Sequence, residues 1–467
     1  MKIEDLDSPM TPHEKRASLS LAGIYLVRML GLFLILPVFS LYARELDDAT
    51  PALIGLAISA YGLTQAVLQI PFGLLSDRMG RKPMIAFGMI LFAAGSVVAA
   101  LSDSIYGIIA GRAMQGAGAV AGVIMALAAD LTREEHRTKA MALIGISIGF
   151  SFALSMVLGP LLSAWLGMSG LFWLIAALAI LGIVILYGLV PAPQQHRFHR
   201  DTQAQPSRIR DTLSSELLRL NFGIFSLHAT LTALFVALPL VLRDRLALET
   251  AEHWKLYLPV FAGALVTMVP FVILAEKKRR MRAVFLAAIA LIVISTGLLP
   301  WLQSSLWTVS ILVYIFFTAF NLLEATLPSL VSKIAPADLK GTAMSIYSTS
   351  QFLGAFAGGA GAGWLQGEFG LNAVFCYASA LALLWLLVAR SMQPPRHLSS
   401  LMLNLGVLSS GTAGHIRHDL ENLPGVAEAV VVAEEGIAYL KVDKQLLDKA
   451  QLIALVNQHT SPTHLSS

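Results

Sequence analysis

A run of about twenty apolar residues, long enough to cross a ~30 Å hydrocarbon core as a helix, occurs twelve times in this chain. The runs lie near 19–42, 51–75, 83–101, 105–129, 139–166 and 169–190. After a polar stretch they resume near 217–242, 255–275, 283–302, 305–331, 341–366 and 371–390. Composition agrees. Charged residues make up 13% of the 467 positions, against about 25% in a soluble protein. The expected fold is an all-α membrane protein of twelve transmembrane helices in two six-helix halves, followed by a small α+β domain. A polar, charged leader, Met1–Ser18, precedes the first run and carries no small-residue cleavage site, so that run reads as a retained helix and not a signal peptide. The single cysteine, Cys376, excludes an internal disulfide and a cysteine-based zinc site.

Loop charge sets the orientation, because Lys and Arg concentrate on the cytoplasmic side. One side carries Arg78, Arg81 and Lys82, then Arg133, Arg137 and Lys139, then Lys277 to Arg282 and Lys333. The other carries only Arg44, Arg243, Arg245 and Lys255. An even number of spans puts both termini on the basic, cytoplasmic side. The net charge of +4 is therefore a topology signal, and a nucleic-acid role has no further support.

The two sets of six spans repeat. "LPVF" at Leu36–Phe39 returns as "LPLV" at Leu238–Val241, "IPF" at Ile70–Phe72 as "VPF" at Val269–Phe271, and "RTKAMA" at Arg137–Ala142 as "KGTAMS" at Lys340–Ser345. The offset is close to 200 residues throughout. The expected organisation is a half over 1–190, a linker over 191–215, a second half over 216–390, a second linker over 391–400 and a tail domain over 401–460. Two parallel six-span repeats with a cytoplasmic linker are a transporter architecture, with the substrate site between the halves near the bilayer midplane.

Between spans two and three the chain reads "GLLSDRMGRK", Gly73 to Lys82. Bases here serve orientation. Asp77 does not, since acids contribute little to sidedness. It can face a helix N-terminus, where the dipole favours an anion. Gly73 suits close helix packing, and Gly80 a turn with positive φ. The spacing resembles the signature loop of the major facilitator superfamily. "GRAMQGAG" at Gly111–Gly118 resembles the Arg-x-x-x-Gly motif of its proton-coupled members. "SMVLGPLLSA" at Ser155–Ala164, with Gly159 and Pro160, resembles the Gly-Pro motif of its twelve-span drug:proton antiporters, although Ser163-Ala164 stands where the motif has a glycine pair. The resemblance implies that Gly73, Asp77, Arg78, Gly80, Arg81 and Asp130 form a cytoplasmic latch holding the outward-open state. Glu276 with Lys277, Lys278 and Arg279 is a degenerate second copy that lacks the glycine.

Four ionisable residues sit well inside spans: Arg28, Arg112, His228 and Glu324. Each is costly in lipid and should face a cavity or a partner. Glu324 is the only acid among them and the first candidate for proton binding; the bland alternative is a structural partner for a nearby donor. Arg112 tunes an acid or serves as a packing donor. Arg28 does either or binds an anionic substrate. His228 titrates near neutral pH or is simply hydrogen-bonded. Tyr25, Phe33, Gln65, Gln69, Gln115, Asn221, Asn321 and Tyr347 are the polar and aromatic candidates for a substrate cavity.

From about Leu401 the pattern changes to βαββα, a ferredoxin-like order, with a turn at Glu435-Gly436. From Leu398 onward Arg417 and three lysines face seven acids, so this acidic tail is suited to dock on the basic loops. His415 and His418 alone make a poor metal site, and neither metal nor other cofactor is expected. The resemblance extends to facilitators of the bacterial inner membrane that carry such a tail. It implies a monomeric, proton-coupled exporter of small amphipathic molecules, not an enzyme, with a small-molecule substrate, protons and the bilayer as its partners. A nutrient symporter or facilitator is the first rival, a non-transporting membrane sensor the second.

Overall fold

The structure, a computed structural model, describes residues 9–192, 206–277, 280–393, 398–406, 408–443, 446–448, 450–452 and 454–455. The leader before residue 9, Lys278 and Arg279 of the degenerate copy, most of the first linker and Ile453 lie outside them, as do the side chains of Glu276 and Lys277.

Helices dominate because a dry backbone must satisfy its own hydrogen bonds. In chain order they are α1 (Pro12–Phe33), the short α2 (Phe39–Tyr42), α3 (Pro51–Met79), α4 (Arg81–Ala100), α5 (Ile105–Ala117), α6 (Ala121–Leu131) and α7 (Glu134–Gly188). The second half holds α8 (Ser215–Leu240), α9 (Trp254–Lys277), α10 (Met281–Leu298), α11 (Leu306–Ile334), α12 (Lys340–Phe369) and α13 (Leu371–Ala389). Local chemistry marks the ends. Thr11 and Glu14 form a reciprocal capping box ahead of α1, with Pro12 in its first turn. Thr50 caps α3 in front of Pro51. Gly80, at φ 93°, separates α3 from α4. α7 is two helices in one, broken at Gly167, where φ is 67°.

Ten segments among the described residues are long and apolar enough to cross a membrane. One of them, Lys139–Gly188, contains the break at Gly167. α12 is not among the ten, because glycine, serine and threonine dilute its apolar content. Those small residues decide how the halves meet. A Cβ placed on Gly354 would lie 2.1 Å from the Phe225 carbonyl oxygen, and one on Gly358 2.2 Å from that of Ala229, both in α8. One turn along, a Cβ on Gly363 would lie 2.4 Å from the Pro51 carbonyl oxygen, and one on Gly55 of α3 2.3 Å from that of Gly359. One glycine pair thus seats α12 on its own half and the next seats it on the other half. Small residues four apart permit such backbone contact in lipid.

The tail forms an antiparallel sheet of β1 (Ser399–Asn404), β2 (Val426–Val432) and β3 (Ile437–Val442) in the order β1-β3-β2. α14 (Ser410–Glu421) covers one face through Ile416 and Leu420. The other face meets the loop between α11 and α12, where Ala337 packs against Val432, Ile437 and Tyr439. All six residues of β3 are buried, so the sheet is covered on both sides. Lys441 Nζ donates to the Ile334 carbonyl, 3.2 Å away at the C-terminus of α11, where a cation complements the dipole. The Ala337 amide donates to Glu428 Oε1 at 3.2 Å. Arg208, from the linker, pairs with Asp338 of the same loop, and this raises the guanidinium's already high pKa. The centre of the contact is apolar, and Lys441, which also pairs with Glu428 at 3.2 Å within the tail, donates across it.

Gly55→Leu should cost at least about 1–3 kcal/mol by overpacking, visible as a lower melting temperature in detergent; a variant that melts like the parent would show that α3 and α12 are not in backbone contact. Lys441→Glu puts an acid against a helix C-terminus and should weaken the tail contact by about 2 kcal/mol. Faster proteolytic release of the tail is the expected readout, and an unchanged rate would count against the interface.

Candidate functional site: a histidine–carboxyl–amide trio and two charged networks

Three helices of the second half bring polar side chains together in the middle of the bundle. Glu324 lies in α11, His228 in α8 and Gln351 in α12. His228 Nε2 is 3.1 Å from Glu324 Oε2. Gln351 Nε2 is 2.7 Å from His228 Nε2 and donates to Glu324 Oε1 at 3.3 Å. The imidazole, the carboxyl and the amide are in mutual hydrogen-bond contact, and whether His228 Nε2 donates or accepts follows its tautomer. Glu324 keeps 36% of its side chain accessible.

Around this trio the sequence candidates divide. Tyr347 is buried, its hydroxyl has no partner among the described residues, and it lies within electrostatic reach of Glu324. Asn321, one turn before Glu324, has an unpartnered Nδ2, and Asn221, two turns from His228, an unpartnered Oδ1. Aromatic rings crowd one side. Phe320 lies 5.9 Å from the His228 ring. Phe152, from α7 of the first half, sits 5.3 Å from Phe261, 6.1 Å from Phe317 and 5.0 Å from Phe33. Phe152 of the first half therefore packs into an aromatic cluster of the second.

Arg28 and Arg112 lie in the first half, within networks of neutral acceptors. Arg28 is fully buried. It donates through Nη2 to Tyr61 Oη at 2.9 Å, Gln65 Oε1 at 3.0 Å and the Gly118 carbonyl at 3.1 Å. That carbonyl lies in the break between α5 and α6 and also accepts from the Val120 amide at 2.8 Å. Its Nε and Nη1, and Nε2 of Gln65, find no partner among the described residues. Arg112 donates to Gln115 Oε1 at 2.7 Å and to the Ile58 carbonyl at 3.2 Å, and lies 5.3 Å from the centre of the Tyr61 ring. Gln115 passes the chain on to Ser96 at 2.8 Å. Tyr61 thus serves both guanidiniums, by its hydroxyl and by its face. Tyr25 is buried within the first-half core. Of the four intramembrane charges, Glu324 meets His228, and each arginine meets neutral acceptors.

In the charged turn, Arg81 contacts Asp77 at 2.5 Å, Asp130 at 3.3 Å and Ser76 Oγ at 2.5 Å, with 5% of its side chain exposed. Asp77 is engaged by Arg81, four residues on. Gly73 faces open space: a Cβ there would meet nothing within 4 Å, so close packing is not its reason. Arg78 is exposed. Lys82, expected only to orient the loop, donates to the Val190 carbonyl at 2.5 Å, and Arg282, 200 residues on, donates to that of Arg390 at 2.7 Å. A Cβ on Gly159 would lie 2.5 Å from the Leu34 carbonyl oxygen, so the Gly159-Pro160 bend presses α7 onto α1.

The acid–arginine triad lies wholly within the first half. Other contacts join the halves. Arg44 pairs with Asp244 at 2.8 Å, at the end opposite the basic loops and at the repeat offset. Gln69 of α3 donates to Thr349 Oγ1 at 2.6 Å and accepts from Ser348 Oγ at 3.1 Å. Gln69 was visible in the sequence. Gln351, Ser348 and Thr349 were not singled out, although a Ser-Thr-Ser-Gln run inside an apolar span is the signal that finds them. On α14, His415 and His418 are each bonded locally, to the Gly411 carbonyl and to Asn422.

Comparison with known proteins bears on the whole chain. Residues 21–359 match the family described as Major Facilitator Superfamily. The chain is 48% identical over 454 residues to the inner membrane transport protein YajR of Escherichia coli (strain K12), covering 97% of this chain and 99% of that one. It is 26% identical to the multidrug resistance protein MdtH of Aeromonas salmonicida, over 73% of this chain and 85% of MdtH. A bacterial homologue of the human lysosomal transporter Spinster, solved in an inward-facing and occupied conformation, superposes with a TM-score of 0.64 at 15% identity, over 81% of this chain and 96% of that one; at such identity the likeness is one of fold. The motifs, the helical halves and these matches agree: the chain belongs to the major facilitator superfamily and is a transporter, not an enzyme.

Proposed function

We propose that the protein is a proton-coupled exporter of small amphipathic molecules, working by alternating access in the inner membrane. The observation that carries this reading is the trio of His228, Glu324 and Gln351, a hydrogen-bonded arrangement beside the aromatic cluster that receives Phe152. The trio supplies a group whose charge changes with the proton. The aromatic rings supply a surface for an apolar substrate, lined further by Asn221, Asn321 and Tyr347. Arg28, with donors unmet, suits an anionic group or an ordered water, and Arg112 holds α5 against α3. The names of YajR, an inner membrane transport protein, and of MdtH, a multidrug resistance protein, support transport and export respectively.

Counting α7 as two spans and adding α12 brings the ten segments to twelve, with both termini at the basic, cytoplasmic end. Arg44–Asp244 and the glycine contact of α3 with α12 support a state closed at the opposite end. The tail, with the sheet order of a ferredoxin-like fold, acts as a regulatory module held on the α11–α12 loop. Transport requires one copy of the chain.

In proteoliposomes under an imposed pH gradient, drug-like probes should move against the proton flow. Glu324→Gln should cut gradient-driven flux by roughly tenfold or more while leaving substrate exchange. Undiminished driven flux in that variant would refute the assignment. Solute moving with the proton would favour the nutrient symporter, and the absence of any flux the sensor. Asp77→Asn should shift spin-label distances between the halves at the basic end toward the open state; unchanged distributions would remove the triad as a latch.

A further inference from the structure

The polar stretch of α12 faces two ways. Thr349 bonds Gln69 of the first half, and Gln351 bonds His228 and Glu324 of the second. Two residues turn a helix by about 200°, so these side chains leave α12 on nearly opposite sides. Ser348, between them in bearing, gives Gln69 a second hydrogen bond. Gln69 is 9% exposed, and its amide both donates and accepts across the seam. It is therefore a polar clamp between the halves, at about the depth of the trio. Beyond it, the Gly55, Gly359 and Gly363 contacts hold the two backbones together.

We infer that Gln69 is the positioning residue through which the protonation state of the trio reaches the first half, with α12 as the moving part. The inference rests on the proton-coupled reading above and adds the link that reading lacks. When the protonation of the His228–Glu324 pair changes, the donors and acceptors it offers to Gln351 change, and the amide must re-aim. A helix fixed at Gly354 and Gly358 answers by a small rotation. The same rotation carries Thr349 and Ser348 against or away from Gln69. The trio thereby selects between a clamped and an unclamped seam, which is what coupling a proton to rocking requires. The titratable groups facing Gln351 are His228 from α8, Glu324 from α11 and Tyr347 from α12 itself. From α3 the clamp receives only the neutral amide of Gln69.

The test needs no known substrate, because protons alone are the probe. Spin labels on Met79→Cys and Arg280→Cys, in the full chain with Cys376→Ser, report the distance between the halves at the basic end. In the parent the distance populations should differ between an acidic and an alkaline buffer. Gln69→Leu should shrink that pH-dependent shift at least threefold. Ser348→Ala with Thr349→Val should do the same from the other side of the seam. Combining all three should add little, the mark of residues acting as one unit. A merely structural contact would instead displace the distances equally at both pH values, and that result overturns the inference. So does a pH response that survives in Gln69→Leu and in the α12 variant while Glu324→Gln abolishes it. If the parent shows no pH response, or Glu324→Gln keeps it, the proton-coupled reading itself fails and takes the inference with it.

Discussion

The contact between α3 and α12 is the one on which the rest of the molecule depends. Lipid offers no hydrophobic drive between helices, so association in the membrane rests on close packing and on hydrogen bonds across the interface. The glycines at 55, 359 and 363 supply the packing and Gln69 supplies the hydrogen bonds. The neighbouring pair, Gly354 and Gly358, ties the same helix to α8. α12 therefore belongs to both halves. On its other side, Gln351 bonds the Glu324 carboxyl.

Polar groups elsewhere obey the same scarcity of partners. A guanidinium inside the membrane persists when backbone carbonyls, an amide and an aromatic face stand in for water. Arg112 has all of these, and Arg28 has most of them. The break between α5 and α6 has a use in this light, since it places the Gly118 carbonyl where Arg28 can donate to it. At the basic end, bases that set orientation also close helix ends. Lys82, Arg282 and Lys441 each donate to a carbonyl at or just beyond a helix C-terminus. A topology signal and a capping contact are one arrangement there.

Much of this was legible before any coordinates. The spans, the repeat of about 200 residues, the charged turn and the βαββ order of the tail follow from run length, motif spacing and alternation, because these are local or periodic properties. The turn at Gly80 is of that kind; the grouping of Arg81 with Asp77 and with Asp130, 49 residues away, was implied only by the family resemblance. The pairing of His228 with Glu324 was not legible: 96 residues separate them, and helical phase does not state which helix stands opposite. Gln351 escaped notice because a neutral amide in a span carries no charge to flag it. Gly73 misled for a related reason, since a glycine that suits close packing looks the same whether or not a neighbour is there.

The sequence by itself determined the class of the molecule, its two halves, its basic and non-basic ends and its family motifs, because hydrophobic length and loop charge act residue by residue. Only the tertiary structure decided which charges share a site. It gave Arg28 and Arg112 their neutral acceptors and gave Glu324 its histidine. It kept the acid–arginine triad within the first half and gave the seam between halves to glycines and a glutamine. It set the tail on the α11–α12 loop by apolar contact and a lysine. The physical reason is common to all of these. In a dry interior a polar group's role is set by the partner that packing brings to it, and packing among helices far apart in the chain is not written in any one of them.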